Sequence, residues 1–492
     1  MSELNILLFI LAYFSLLLLI SYFTGKKSNN EAFFLGNRKS PWYIVAFGMI
    51  GTSISGVTFI SVPGMVQHSQ FGYMQMVLGF FVGYLLIAGV LLPLYYRLNL
   101  TSIYTYLQKR FGNKAYKTGA SFFLLSKLIG AAARLYVVAI LLQTFVFKAW
   151  GIPFELGVSV LIFFIWLYTH RGGIKTIIWT DALQTLFLLT ALVLIVFAVY
   201  RNLALPLDSL LVQLQEQTWT KVFEFDDWIS DQHFFKQFFS GVFITIVMTG
   251  LDQDMMQKNL SCKNIHEAKK NMYSYGFMFI PINLLFLFIG AMLLLLAKQK
   301  GIDLPQNPDA LLPLFANGYL GQAVTVFFFI GIIAAAFSSA DSALASLTTS
   351  FSVDILGVKK ENTAAAKKHR MLVHIVFSAV FACVIILIYA LGNTESIITI
   401  IYKIASYTYG PLLGLFAFGL FTSFKPVDTY IPVIAIAAPL LIGLLEYVLS
   451  YYYNYHSGAE LLIINGGVCF IGLWFISSKK RFVTNSKLHI TK

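Results

Sequence analysis

The sequence predicts an all-α polytopic membrane protein with about thirteen transmembrane helices. Of its 492 residues, 58% are hydrophobic and only 12% are charged, a balance that excludes a soluble globular protein. Apolar runs of about 20 residues, the length that crosses a bilayer as a helix, recur along the chain. The predicted segments cover residues 4–22, 42–66, 72–96, 118–147, 152–169, 175–200, 237–257, 273–297, 322–350, 371–391, 396–421, 429–450 and 459–477.

The positive charges predict the orientation of these segments. The net charge is +13, and most of the 35 Lys and Arg fall in alternate loops, including clusters at 359–370 and 479–481. Because cytoplasmic loops are enriched in Lys and Arg, we expect the N-terminus outside and the C-terminus inside. This distribution indicates a membrane protein rather than a nucleic-acid-binding one. The first segment has no basic leader and is followed by Lys26 and Lys27, so we expect it to remain uncleaved.

The second segment, 42–66, is unusually rich in glycine for a helix. It reads GMIGTSISGVTFISVPG over residues 48–64, and glycine, proline and β-branched residues make a poor continuous helix. One interpretation is a kinked helix packed closely on its neighbours. The other is a broken helix whose freed carbonyls line a cavity, the usual place of a transporter binding site.

Charged residues within the spans need partners. Away from the segment ends, the only cations inside predicted segments are Lys127, Arg134 and Lys403. Lys127 is close enough to the cytoplasmic end to snorkel, whereas Arg134 is near mid-membrane and needs an anion, either a protein carboxylate or a substrate group. Asp181, in the stretch GGIKTIIWTDALQ, is a buried carboxylate that either binds an ion or pairs with Arg134 or Lys127.

Residues 331–355, GIIAAAFSSADSALASLTTSFSVDI, form a predicted helix at membrane depth that is filled with hydroxyl groups. Small and hydroxyl residues recur on one face, which is typical of close helix packing. The same segment contains Asp341, and oxygen ligands are what a hard cation such as sodium prefers. We therefore interpret this polar helix as one wall of an ion site.

Two further stretches within or beside predicted spans contain polar or helix-breaking residues. DQDMMQKNL, at 252–260, lies near the predicted cytoplasmic end of its span, where it either closes the inner mouth or contacts a ligand. Gly410-Pro411 would free backbone groups within the span 396–421, as a bend or gate does. The three cysteines have no paired spacing, and we find no constellation for bond-making chemistry, so an enzyme is not indicated.

Four motifs in this order resemble the sodium:solute symporter family: WTDALQ after a Gly-Gly turn, DQDMMQKNL, the polar helix ending in SVDI, and YGPLLGLF. The resemblance spans about residues 5–480. It implies the LeuT-type fold, in which two five-helix repeats are related by inverted topology and each begins with a broken helix. The implied units are 1–41, an extra helix and cytoplasmic loop; 42–201, the first repeat; 202–236, an outer loop; 237–421, the second repeat; and 422–492, two extra helices and a cytoplasmic tail.

The resemblance also implies where sodium binds. Its main site would use carbonyls of the first broken helix and of the polar helix, together with two hydroxyls of the polar helix. The matching residues are Gly51, Ile54, Ala335, Ser338 and Ser339. A second sodium site, present in some members, would use Asp181, position 341 and Ser342. Here Asp341 replaces the serine of those members, so the second ion is either held by two carboxylates or lost to pairing with Arg134.

The resemblance extends to the solute. Sialic acid carriers of the family have an arginine that engages the sugar-acid carboxylate, together with hydroxyls on the broken helix. The matching candidates in this chain are Ser53, Ser55, Thr58, Gln75 and Arg134. Galactose carriers instead have Glu and Gln where this chain has Val57 and Thr58. An anionic solute is therefore favoured over a neutral sugar or polyol, although Arg134 would not reach it if a protein carboxylate holds that side chain.

We conclude from the sequence that the protein is a sodium-coupled secondary active symporter of a small polar, carboxylate-bearing solute, such as sialic acid or a small organic acid. The alternatives are a symporter of a neutral sugar or polyol, and a transporter-like sensor or channel. We expect the protein to be a monomer in the inner membrane of a bacterium, with sodium, the solute and the lipid bilayer as its partners and no nucleic acid.

Overall fold

The fold of the chain comes from a computed structural model. It describes residues 3–26, 29–228, 230–358, 363–392, 397–453 and 458–478. The basic cluster at 479–481 and the first part of the one at 359–370 lie outside the described residues. The orientation that these charges indicate stays a prediction.

Almost all of the described chain is helical. The α-helices are α1 (Glu3–Gly25), α2 (Asn30–Leu35), α3 (Trp42–Ser53), α4 (Gly56–Ser69), α5 (Tyr73–Leu86), α6 (Leu92–Arg97), α7 (Thr105–Arg110), α8 (Asn113–Leu142), α9 (Phe154–Thr169), α10 (Ile174–Leu203), α11 (Leu207–Glu216), α12 (Phe234–Thr245), α13 (Gln253–Leu260), α14 (Ile265–Lys300), α15 (Leu311–Gly318), α16 (Gln322–Ser350), α17 (Ala364–Leu391), α18 (Ile397–Phe421), α19 (Ile431–Tyr453) and α20 (Leu461–Phe475). Two short antiparallel strands, β1 (Lys425–Pro426) and β2 (Ser477–Ser478), pair Lys425 with Ser478.

The helices match the thirteen predicted segments in order. In the described part of the chain, nine helical runs are long and apolar enough to cross a membrane, and two bent helix pairs would add two more. The remaining two segments are α9 and α20, apolar helices of 16 and 15 residues. The predicted all-α polytopic fold is confirmed.

Two of the spans are broken: the glycine-rich second segment, for which a kinked helix is the other interpretation, and the seventh segment, as the family resemblance implies. α3 and α4 meet at 59° across Ile54 and Ser55, and the run Phe234–Gly250 meets α13 at 64°. At the second bend, Asp252 caps α13, because its side chain accepts hydrogen bonds from the backbone N–H groups of Asp254 and Met255. Each bend lies in the first helix of a predicted five-helix repeat; the boundaries of those repeats stay predictions.

The polar helix α16 forms the centre of the molecule. Every residue from 328 to 350 is buried, so α16 is covered by protein on all sides rather than by lipid. Broken helix α3 packs closely on α10, which in turn packs on α16. A Cβ added at Gly48 would lie 2.9 Å from Asp181 Cβ, and one added at Gly51 would clash with Thr185. These two glycines therefore let α3 approach the carboxylate of α10.

Candidate functional site

The break between α3 and α4 faces the hydroxyl groups of α16. Ser339 Oγ donates a hydrogen bond to the carbonyl oxygen of Thr52 at 2.9 Å, and Thr52 Oγ1 lies 3.0 Å from Ser338 Oγ. Gly51 is in the last turn of α3, where carbonyls have no partner within the helix. The structure thus brings together the two elements that bear the five predicted ligands of the main sodium site, which are Gly51, Ile54, Ala335, Ser338 and Ser339.

The chemistry of this junction fits a sodium ion. Ser338 and Ser339 use their hydroxyl protons in hydrogen bonds to Asp181 Oδ1 and the Thr52 carbonyl, at 2.6 and 2.9 Å. Both serines are buried, at 0% and 3% exposure. Each hydroxyl oxygen keeps lone-pair capacity for a cation, because a hydroxyl has one proton and two acceptor sites.

A lysine of α13 occupies the position beside this junction. Lys258 Nζ lies 2.7 Å from Asp181 Oδ2 and donates to Thr52 Oγ1 at 2.5 Å. Both charged side chains are only 1% exposed. The predicted ion pair of Asp181 with Arg134 or Lys127 is therefore wrong, because Lys258 is the partner.

The sequence analysis misses Lys258 because the seventh predicted span ends at residue 257, which places this lysine in a cytoplasmic loop. In the structure, α13 follows a 64° bend and is buried along its whole length. One signal was available: Lys258 follows Asp254 at i+4, so the two lie on one face of a helix just beyond a break.

Asp341 forms the second carboxylate of this buried cluster. Its Oδ2 accepts a hydrogen bond from Tyr168 Oη at 2.8 Å, while its Oδ1 and the neighbouring Ser342 Oγ have no hydrogen-bond partner in the described part of the chain. The predicted pairing of Asp341 with Arg134 is wrong. With both carboxylates ionised and Lys258 protonated, the cluster has one net negative charge.

Arg134 instead faces a central cavity of about 120 Å³. The predicted residues Ser53, Ser55 and Thr58 line the same cavity. Among the described residues, Arg134 has no hydrogen bond or ion pair to any carboxylate. A guanidinium in this position can form two parallel hydrogen bonds to a carboxylate.

An ion-pair network forms part of the cavity lining. Lys127 Nζ lies 2.7 Å from Asp254 Oδ2 and 3.3 Å from Asp252 Oδ2, and Tyr409 Oη donates to Asp252 Oδ2 at 2.6 Å. The Lys127 side chain is 8% exposed, so it does not snorkel to the membrane surface as its position indicated. Asp252 and Asp254 also line the cavity, so the two predicted roles of this stretch, closing the inner mouth and contacting a ligand, both stay predictions.

Tyrosine hydroxyls frame the opposite part of the cavity. Tyr73 Oη of α5 and Tyr402 Oη of α18 are 3.4 Å apart, so the two helices contact each other at the cavity. Ser53 Oγ lies 2.5 Å from Tyr275 Oη, which continues to Tyr84 Oη at 2.8 Å. These groups can donate to or accept from the hydroxyls of a polar solute.

The structure does not bring Gln75 into the cavity. Its Nε2 donates to the carbonyl of Gln232 at 2.9 Å, and its Oε1 accepts from the backbone N–H of Glu224 at 3.1 Å. Gln75 is fully buried, and its amide holds the long loop that follows α10. Its expected role in substrate binding is therefore replaced here by a role in anchoring that loop.

The model of the sodium:solute symporter family matches residues 33–424 of the chain. The protein belongs to this family. Two relatives are the sodium/sialic acid symporter NanT of Aliivibrio fischeri, 26% identical over 81% of this chain and 79% of its own, and the sodium/sialic acid symporter SiaT of Proteus mirabilis, 24% identical over 83% of each chain.

A solved structure agrees with the fold. The substrate-bound outward-open state of a Na⁺-coupled sialic acid symporter superimposes with a TM-score of 0.83 at 22% sequence identity, covering 96% of this chain and 97% of its own. The LeuT-type fold expected from the sequence motifs is confirmed. Sodium-coupled symport is the activity of the family that the chain belongs to.

Proposed function

We propose that the protein imports a small carboxylate-bearing solute, such as sialic acid, together with sodium by alternating access. It would do so as a monomer in a bacterial inner membrane, with the N-terminus outside and the C-terminus in the cytoplasm. The two sialic acid symporters among its relatives are bacterial and match it over about four fifths of its length, which supports this proposal.

The observation that carries the choice of solute is the environment of Arg134. Its guanidinium lines the cavity together with the three predicted hydroxyl residues of the broken helix. The protein carboxylates that would compete for it bind Lys258, Lys127 and Tyr168. Arg134 would bind the solute carboxylate through two parallel hydrogen bonds, while Ser53, Ser55 and Thr58 bind its hydroxyl groups.

Sodium would bind at the α3–α16 junction, to Gly51, Ile54, Ala335, Ser338 and Ser339. An ion there bridges the broken helix and the polar helix and so favours one arrangement of the two. Ser53 and Ser55 of the same break face the solute cavity. Sodium and solute therefore order the same few residues, so each would raise the affinity for the other by the same factor.

At the second position, we propose that the Lys258 ammonium stands where another sodium would bind. Asp181, Asp341 and Ser342 are the residues expected there, and Lys258 already neutralises Asp181. The pair is buried together with Thr52, which leaves that carboxylate no excess charge for a mobile cation.

Uptake into proteoliposomes tests the proposed function. An inward sodium gradient should drive saturable accumulation of radiolabelled N-acetylneuraminic acid, and an equal potassium gradient should not. Unlabelled acid should compete, whereas its methyl ester, which has the same shape but no negative charge, should compete weakly. Accumulation of a neutral sugar that no carboxylate inhibits would contradict the proposal. Conduction without saturation would favour a channel.

A further inference from the structure

A second cavity, distinct from the transport site, opens where three helices end on the same side of the molecule. It lies between the C-terminal ends of α1 and α9 and the N-terminal end of α17, and has a volume of about 800 Å³. Its cationic lining residues are Lys26, Arg171, Lys367 and Arg370, and His170, which also lines it, accepts a hydrogen bond from Arg171 Nε at 3.2 Å. No Asp or Glu of the described chain lines it. The cavity is therefore a concentrated positive site.

Enrichment of cations in cytoplasmic loops does not by itself explain this cavity, because Arg370 is buried. Arg370 is 1% exposed and stacks over Phe33, with the guanidinium carbon 4.3 Å from the ring centroid. Its Nη1 donates to Asn30 Oδ1 at 2.9 Å, but its Nε and Nη2 have no hydrogen-bond partner among the described residues.

An unpaired buried guanidinium is costly, since each unsatisfied charged donor loses its hydration without compensation. Arg370 lines the cavity. A ligand with several anionic oxygens would satisfy its free donors and at the same time neutralise Arg171 and Lys367. Phosphate suits this role because it offers such oxygens to arginine in a bidentate geometry.

The surroundings favour a lipid over a soluble phosphate. Leu18, Leu167 and Met371 share the lining with the basic residues. Large apolar side chains on the same three helices are exposed on the membrane-spanning surface: Leu19 and Phe23 of α1, Phe163 of α9, and Leu372, Ile375 and Val376 of α17. Acyl chains can cover these side chains while a headgroup enters the cavity.

We propose that this cavity binds the phosphate headgroup of an anionic phospholipid on the predicted cytoplasmic side of the membrane. Basic pockets between transmembrane helices on that side suit such headgroups, because they combine cationic donors with an apolar path for the tails. The proposal is independent of the transported solute. The lipid would tie α1, which is outside the two repeats, to α9 and α17.

The experiment compares lipids on purified, delipidated protein in detergent. Short-chain phosphatidylglycerol should raise the thermal midpoint, whereas phosphatidylcholine of equal chain length, inorganic phosphate and glycerol 3-phosphate should have little effect. The double variant R171Q/K367Q changes two exposed side chains and should lose most of the shift. The matched control K114Q/K117Q removes two exposed cations at the start of α8 and should keep it.

Three outcomes would overturn the proposal. An equal phosphatidylglycerol shift in R171Q/K367Q would place the lipid elsewhere. An equal shift with phosphatidylcholine would show that the charge is not recognised, and an equal shift with inorganic phosphate would show a site for soluble anions. The variant R370Q should also lose the shift; if it does not fold, the R171Q/K367Q comparison still decides.

Discussion

Lys258 Nζ and Asp181 Oδ2 lie 2.7 Å apart at the point where the first broken helix meets α10 and α16. The ammonium also donates a hydrogen bond to Thr52 Oγ1. The backbone carbonyl of Thr52 in turn accepts a hydrogen bond from Ser339 Oγ. One lysine thus links a carboxylate, the break in α3 and the hydroxyl face of α16. Because both charges are buried, the pair cannot be a solvent-screened surface contact.

The first prediction concerns this lysine. Lys258→Met keeps much of the side-chain volume but leaves Asp181 buried without a counter-ion, so in choline buffer it should lower the free energy of unfolding by about 3–5 kcal/mol. Sodium should restore part of this loss, because the ion can take the place of the ammonium. Adding Asp181→Asn should restore stability in choline as well. Equal losses in sodium and choline would show that Lys258 does not fill a cation position.

The main sodium site is tested by removing its hydroxyls. The double variant Ser338→Ala/Ser339→Ala deletes two oxygen ligands, so the sodium concentration for half-maximal uptake should rise by about tenfold or more. Ser346→Ala is the matched control, because Ser346 is on the same helix and, among the described residues, its hydroxyl bonds only to the local Ala343 carbonyl. An unchanged sodium dependence in a folded double variant would refute the assignment.

Asp341 is predicted to couple energetically to Tyr168 and not to Arg134. A double-mutant cycle of Asp341→Asn with Tyr168→Phe should give an interaction energy of about 0.5–3 kcal/mol, because the two side chains share a buried hydrogen bond. The cycle with Arg134→Gln should be additive within about 0.5 kcal/mol. Thermal or denaturant unfolding measures both. If adding Arg134→Gln to Asp341→Asn recovers stability, Asp341 and Arg134 form an ion pair after all and the structural assignment is wrong.

The predicted orientation has its own test. A reporter fused after Lys492 should behave as cytoplasmic, and one inserted near Gln217, in the loop after α11, as periplasmic. The reason is that most Lys and Arg fall in the loops on the same side of the membrane as the C-terminus, and cytoplasmic loops are enriched in these residues. The opposite result at either position would overturn the orientation and move the lipid site to the outer leaflet.

Much of the fold could be predicted from the sequence because membrane spans depend on local composition. Apolar length alone locates each span, and the glycines around Gly51 predict the first break correctly. The second break is less visible, since its bend at Leu251 and Asp252 follows a single glycine, Gly250, and is stabilised by a side-chain cap. The predicted end of that span at residue 257 is therefore too early.

The pairing of buried charges could not be predicted, because it depends on how distant helices approach one another. Lys258, Lys127 and Arg134 are equivalent on the basis of charge, yet packing gives the first to Asp181, the second to Asp252 and Asp254, and leaves the third facing the cavity. The role of Gln75 could not be predicted for the same reason, since its side-chain amide bonds to the backbone of a loop more than a hundred residues away in the sequence.

The most direct test of the central claim compares the affinities for N-acetylneuraminic acid and its methyl ester in the wild type and in Arg134→Gln. A charge-assisted hydrogen bond contributes about 1.5–3 kcal/mol, so the wild type should prefer the acid by roughly 10- to 150-fold. The preference should fall to about one in Arg134→Gln, with the sodium affinity in the absence of solute unchanged, and Arg134→Lys should lie between. If Arg134→Gln keeps the wild-type preference for the acid, the solute carboxylate binds elsewhere and the account is wrong.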